Sequence, residues 1–426
     1  MVLALRWKFG LGVLAAYSGY TTYIYVRTQQ EIRRRQQVQD AHPQSEDDGE
    51  CDGCQYDTLT VNGRFENPFP EYRPQTIFEF FAMRVLDLFE FGKRGGLPSS
   101  YEELRASLPI HTPDIETLRA TGQNEEFSSD ADFPAVRDRL TFTWFGQSCS
   151  LVQIGSVSFL TDPLFENHLI SRLVGPQRIA PSAIKLQDLM EQVKIPEYVL
   201  VSHDHPDHLE EESVKRIGNK SKWIVPVGVR RFLAKRGVSN VIEMKWWDRV
   251  TLETDSPDKY EVVCLPAMHW SGRQLIDTNK TLWCSFMILR NGKSIFFHCG
   301  DTGYSSDLFR LIGQKYGPVK FGALPIGQYC PQWHQRPRHI SPLEAVRITN
   351  DMGIEKMVGV HWGTFILSSE KYMEPKEQLE ELARMNGRQN SILVSEHGRT
   401  LVFDTGEIDT LNEQPPVQVR GSTVYR

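Results

Sequence analysis

Residues 203–208 read His-Asp-His-Pro-Asp-His, and little else in the chain restricts its fold so tightly. The run follows an apolar stretch, Tyr198 to Val201, that reads as a buried strand, and it precedes a helix-like segment from Leu209 to Ile217. Three imidazoles and two carboxylates therefore crowd one strand-to-helix loop. A solvated loop that merely happens to be rich in histidine is the plainer reading. Against it stands the repulsion or desolvation that so many grouped ionisable side chains would cost unless a cation compensated them. On a turn, His203 and His205 converge on one metal while Asp207 and His208 face a second. Imidazole nitrogen and carboxylate oxygen are donors suited to zinc.

A two-metal site needs more donors, and they recur at the ends of other apolar runs. Val262 to Pro266 leads to His269, Ser294 to Phe297 leads to His298-Cys299-Gly300-Asp301, and Met357 to Val360 leads to His361. Each sets a ligand-type residue where a strand meets a loop, the usual place for site residues on a rigid scaffold. Alone, His269 or His361 reads as a core histidine with satisfied hydrogen bonds; beside residues 203–208 they form a series. From about Leu140 onward, short β-branched and aromatic runs such as LTFTWFG and CSLVQIGSVSFLTDP alternate with turn signals and helical stretches. That texture predicts sheets covered by helices.

H-x-H-x-D-H followed by His, Asp and His after strands resembles the signature of the metallo-β-lactamase superfamily. Below that level, TWFG (143–146), LTDPLF (160–165), VGPQR (174–178), WW (246–247), GDTGY (300–304), PIG (325–327) and HWGTF (361–365) resemble the N-acylphosphatidylethanolamine-hydrolysing phospholipase D family, from about Asn67 to about His397. The resemblance implies an α/β chain with the αββα four-layer sandwich and two Zn2+ ions. It assigns His203, His205 and His269 to one zinc, Asp207, His208 and His361 to the second, and Asp301 to both. Asp207 and Asp301 thereby join the catalytic set. His339, in RHISPLEA, matches a histidine placed near the substrate phosphate, and Asp162, in the LTDP turn, is implied as a group that orients ligands. Two positions depart from the pattern: Pro206 stands where well-known members have a substrate-contacting tyrosine, and Gln147 replaces a histidine. The implied reaction is hydrolysis of a membrane phospholipid, N-acylphosphatidylethanolamine, to N-acylethanolamine and phosphatidic acid. The same zinc chemistry would serve a soluble phosphodiesterase, a lactonase or a thioesterase. A membrane-tethered scaffold with a degenerate site is the non-enzymatic reading, and the full ligand set argues against it.

The 426 residues suit one large catalytic domain with an N-terminal appendage. A net charge of -6 argues against a nucleic-acid partner. Seven cysteines, an odd number without a dense framework, point to a reducing compartment, and the Cys51/Cys54 pair lacks the second pair a zinc ribbon needs. The uncharged stretch from Phe9 to Val26, flanked by Arg6, Lys8, Arg27, Arg33, Arg34 and Arg35, is long enough for a bilayer. Residues 1–35 are read as a membrane anchor or targeting segment, with a cleaved signal and a mitochondrial presequence as the competing readings. The heavier basic cluster behind it places the catalytic domain on the cytosolic or matrix side of an endomembrane or the mitochondrial inner membrane. Residues 36–66 are expected to be a flexible linker, and 67–139 an extension whose Ile77–Phe91 helix packs on the core or lies at the lipid interface. Residues 140–405 form the catalytic domain and 406–426 a loosely ordered tail. Trp246, Trp247 and Trp270 read as core more readily than as an acyl groove. A homodimer is left open.

Overall fold

The computed structural model describes residues 2–41, 56–76, 78–79, 82–83, 85, 94–126, 133–170, 175–274, 277–406, 416–419 and 422–425. After a helix over Val2–Ala41, the chain makes a hairpin from β1 (Leu59–Val61) and β2 (Arg64–Glu66). Then come β3 (Arg139–Gly146), β4 (Cys149–Ile154), β5 (Val157–Thr161), β6 (Tyr198–Leu200), β7 (Lys222–Pro226) and β8 (Val241–Met244). It next lays down β9 (Arg249–Thr251), β10 (Tyr260–Leu265), β11 (Ser285–Arg290), β12 (Lys293–His298), β13 (Val319–Pro325), β14 (Ile354–Val360) and β15 (Ile392–Val394). It closes with β16 (Thr400–Asp404), β17 (Val417–Val419) and β18 (Ser422–Tyr425). These form a nine-stranded sheet in the order β17-β18-β16-β3-β4-β5-β6-β7-β8 and a seven-stranded sheet in the order β15-β14-β13-β12-β11-β10-β9. Strands β5 to β8, and likewise β12 to β15, run parallel.

The period-2 alternation of strand side chains decides which way each sheet faces. In β6, Tyr198 and Leu200 enter the core between the sheets, whereas Val199 points to the opposite face. In β7, Ile224 points inward while Trp223 and Val225 point outward. Phe142 of β3 meets Phe321 of β13 at 5.3 Å between ring centroids, so the two sheets are in contact. The outer face of the nine-stranded sheet is covered by Leu118, Leu186, Leu189, Val214, Ile217 and Leu233. These come from the helices Ile115–Gly122, Leu186–Gln192, Glu211–Ile217 and Arg230–Ala234. The seven-stranded sheet is covered by Leu308, Phe309, Ile312, Ile348 and Leu379, from the helices Ser306–Tyr316, Pro342–Asp351 and Glu374–Met385. The expected αββα four-layer sandwich is present.

Differences from expectation lie at both ends. Within the 36–66 stretch read as a linker, residues 42–55 lie outside the described residues. The remainder is structured: the first helix runs on to Ala41, and β1 and β2 pair through an Asn62-Gly63 turn. Both turn residues have positive φ, 50° and 71°, as a tight hairpin turn of matching twist requires. Leu59 and Val61 of that hairpin bury Ile32. The 406–426 tail is not loose throughout, because β18 runs parallel to β16 and pairs with β17. Val424 is fully buried with Val402 and Phe133. Of the expected Ile77–Phe91 helix, residues 78, 79, 82, 83 and 85 are helical and the rest lies outside the described residues. Cys51 and Cys54 also lie outside them; Cys149, Cys264, Cys284, Cys299 and Cys330 are free thiols. Among the described residues, no helix is long and apolar enough to cross a membrane.

Candidate metal centre

The loop after β6 makes a tight turn, in which the His208 and Leu209 amides both donate to the His205 carbonyl, at 3.0 and 2.9 Å. The turn separates the two halves of the motif. His203 Nε2 lies 2.8 Å from His205 Nδ1, which in turn lies 3.3 Å from Nε2 of His269, behind β10. On the other side, His208 Nε2 lies 3.2 Å from Nε2 of His361, behind β14, and Asp207 Oδ2 lies 3.7 and 3.6 Å from these two nitrogens. Asp301, behind β12, stands between the groups. Its Oδ2 is 3.2 Å from His208 Nε2 and 3.8 Å from His269 Nε2, and its Oδ1 is 3.2 Å from His361 Nε2. Gly300 makes this approach possible: at φ 60° an added Cβ would sit 2.6 Å from Ser202 Cβ. Donors from both sheets thus meet at one end of the sandwich, all of them buried.

Hydrogen bonds behind the rings fix which nitrogen faces the centre. His269 Nδ1 faces the Arg338 carbonyl at 2.9 Å, and His208 Nδ1 faces Asp162 Oδ2 at 2.8 Å, so each ring carries a proton there and turns Nε2 inward. His203 Nδ1 lies 2.9 Å from Ser202 Oγ, which donates onward to Asp162 at 2.8 Å. Asp162 also accepts from the Ser202 amide at 2.7 Å and from His298 Nε2 at 2.9 Å. His339 approaches from the segment before the Pro342–Asp351 helix, whose N-terminus Ser341 and Glu344 close with a reciprocal capping box. Its Nδ1 is 3.7 Å from Asp301 Oδ2.

The electrostatics divide the cluster. Burial pushes His203 and His339 well below the usual histidine range and brings His205 and His269 down to about 3, so these rings are neutral. Burial acts the same way on His208 and His361. There, however, the carboxylates of Asp301 and Asp207 outweigh it, raising His208 well above its ordinary value and His361 to about 9. For the acids, burial would favour the neutral form. His208 and His361 nevertheless hold Asp207 and Asp301 below the carboxylate range, and His298 and His208 hold Asp162 at about 2.

The donor set fits metal ions. Lone pairs of neutral imidazoles face one another at 2.8 and 3.3 Å, where two nitrogens sharing a tetrahedral zinc at 2.0–2.1 Å would stand roughly 3.3 Å apart. Asp301 Oδ1 is buried without a hydrogen-bond partner. The raised values at His208 and His361 say that positive charge is favoured beside the carboxylates. Among the described residues, three sets of side chains are close enough to hold an ion: His203, His205 and His269; Asp207, His208, Asp301 and His361; and His269, Asp301 and His339.

Every candidate ligand from the sequence therefore lies in one cluster, with Asp162 and His339 in contact with it. His298, three residues before Asp301 at the end of the same strand, joins the cluster through Asp162 without any motif that marks it. Trp246 and Trp247 pack with the core, whereas Trp270 is half-buried with its ring 4.2 Å from that of His205.

A model of the β-lactamase superfamily domain matches residues 158–362. A Saccharomyces cerevisiae protein, described as a mitochondrial N-acyl-phosphatidylethanolamine-hydrolyzing phospholipase D, is 40% identical over 415 residues, spanning 92% of this chain and 87% of its own length. A Caenorhabditis elegans protein, described as N-acyl-phosphatidylethanolamine-hydrolyzing phospholipase D 1, is 33% identical over 295 residues, spanning 67% of this chain and 77% of its own.

Proposed function

This chain belongs to the N-acylphosphatidylethanolamine-hydrolysing phospholipase D family of the metallo-β-lactamase superfamily, and from that premise we propose that it is a two-zinc phosphodiesterase releasing N-acylethanolamine from a membrane phospholipid. The observation that carries the reading is the meeting of seven donor side chains in two adjoining groups that share Asp301. His203, His205 and His269 would hold one ion, and Asp207, His208 and His361 the other. When bound, the two ions supply Lewis acidity toward phosphoryl oxygens and a water nucleophilic near neutral pH.

The protein's own groups do the rest. Asp301 fixes the separation of the two donor groups, and Asp162 locks the His208 ring so that Nε2 stays directed inward. His339 is neutral and its Nδ1 is buried without a hydrogen-bond partner, which leaves it free to bond a phosphate oxygen. In the hydrolysis, water oxygen bonds to phosphorus, the bond from phosphorus to the ethanolamine oxygen breaks, and that oxygen leaves with a proton. A lipid substrate places the enzyme at a membrane surface. In support, Leu11, Val13, Leu14, Tyr20, Tyr23, Tyr25 and Val26 of the first helix are exposed, whereas Thr28 and Ile32 further along it are buried. The mitochondrial description of the yeast relative favours the mitochondrial of the two membranes expected.

Chelator-stripped protein should lose phosphodiester hydrolysis in mixed lipid–detergent micelles and regain it on zinc addition. Zinc-refilled protein that cleaves no phosphodiester lipid would contradict the proposal.

A further inference from the structure

The turn between β3 and β4 carries a residue for which the reaction scheme has no part. We propose that Gln147 is a positioning residue of the second metal group, its amide fixing the very oxygen with which Asp207 would bind; the inference rests on reading the cluster as a metal centre. The Gln147 side-chain Nε2 lies 3.1 Å from Asp207 Oδ2 and 3.2 Å from His361 Nε2. Asp207 Oδ2 is also the oxygen that faces the inward nitrogens of His208 and His361. A carboxylate oxygen has two lone-pair directions. With the amide N–H on one, the other is left aimed at the position shared by His208, His361 and Asp301.

The backbone around Gln147 is built to hold this aim. Its φ of 47° lies in the left-handed region, a strained setting for a residue with a side chain. The strain is held by three hydrogen bonds. The Gln147 amide donates to Thr364 Oγ1 at 2.9 Å, and its carbonyl accepts from Trp144 Nε1 at 2.6 Å and from the His361 amide at 2.9 Å. The last bond ties Gln147 to the backbone of the ligand it faces. Gly146 lets the turn close, since a Cβ there would come within 2.7 Å of Arg178 Nη1 and 2.9 Å of Thr364 Cγ2. Gln147 as a residue is 2% exposed, which shields the amide from water. A neutral amide does not titrate, and it donates the same bond at every pH at which the protein is folded.

The test uses the full chain loaded with zinc, titrated with a competing chelator, with zinc per chain measured at each step. Gln147→Met keeps the length of the side chain but removes the donor. Gln147→Asn withdraws the amide by one methylene while tolerating the left-handed backbone. Both variants are expected to give up one zinc per chain at roughly 10- to 100-fold lower chelator concentration than the unaltered protein, while the other zinc leaves at the same concentration. Two zincs retained as in the unaltered protein, in either folded variant, would overturn the proposal. Asp301→Asn, run in parallel, separates the two readings. If it also keeps both zincs, the metal-centre reading itself fails; if it loses zinc while the Gln147 variants do not, only the role of Gln147 falls.

Discussion

Asp162 is fully buried and accepts hydrogen bonds from the amide and hydroxyl of Ser202 and from the rings of His208 and His298. An asparagine cannot replace it quietly, because its NH2 group would face a donor wherever it turned. Asp162→Asn is therefore expected to weaken zinc retention roughly 10- to 100-fold, read as zinc per chain against chelator concentration. An unchanged curve would remove Asp162 from the site. At this scale the candidate donors are legible because ligand chemistry concentrates unlike residues in a short loop, as in residues 203–208. The supporting partners were less so. His298 ends a continuous apolar run, Ile295 to Phe297, which marks it as buried but not what it meets. The carbonyl of Arg338 that orients His269 has no sequence signature at all, since every residue carries a carbonyl.

Among the elements, β6, β10, β12 and β14 are readable as apolar runs ending in candidate site residues. The two misread segments are instructive. Low average hydrophobicity across 36–66 concealed the local pattern Leu-Thr-Val-Asn-Gly-Arg-Phe-Glu, whose Asn-Gly turn is a strong hairpin signal. In the tail, Val-Gln-Val and Ser-Thr-Val-Tyr are short runs that become strands only because β16 offers them an edge of the sheet. That edge stabilises the fold, with Val424 and Val402 fully buried and Ser422 Oγ donating to Asp114 at 2.7 Å. Ending the chain after Gly406 should cost at least about 2 kcal/mol, the scale of one fully buried valine, and lower the calorimetric unfolding midpoint. A truncated protein that melts with the full chain would show that β18 adds nothing.

For the molecule as a whole, the proposed function gives chemistry to the sandwich and placement to the first helix. The helix is held to the β1–β2 hairpin by Ile32 and by Arg35, whose guanidinium donates to the Asp57 and Thr58 carbonyls at 2.7 and 3.2 Å. Among the described residues, its exposed large apolar side chains precede that attachment. Deleting residues 2–26 is therefore expected to reduce recovery of the protein with lipid vesicles while leaving turnover of detergent-solubilised lipid unchanged. Equal loss of both would contradict the division. The chemistry itself is tested most directly by mass spectrometry of the products formed from N-acylphosphatidylethanolamine in heavy-oxygen water. The zinc-loaded protein should yield N-acylethanolamine together with phosphatidic acid that carries the heavy oxygen, and Asp301→Asn should lower both by at least about 100-fold. Label found in the N-acylethanolamine instead, no cleavage by the zinc-loaded protein, or full activity in Asp301→Asn would contradict it.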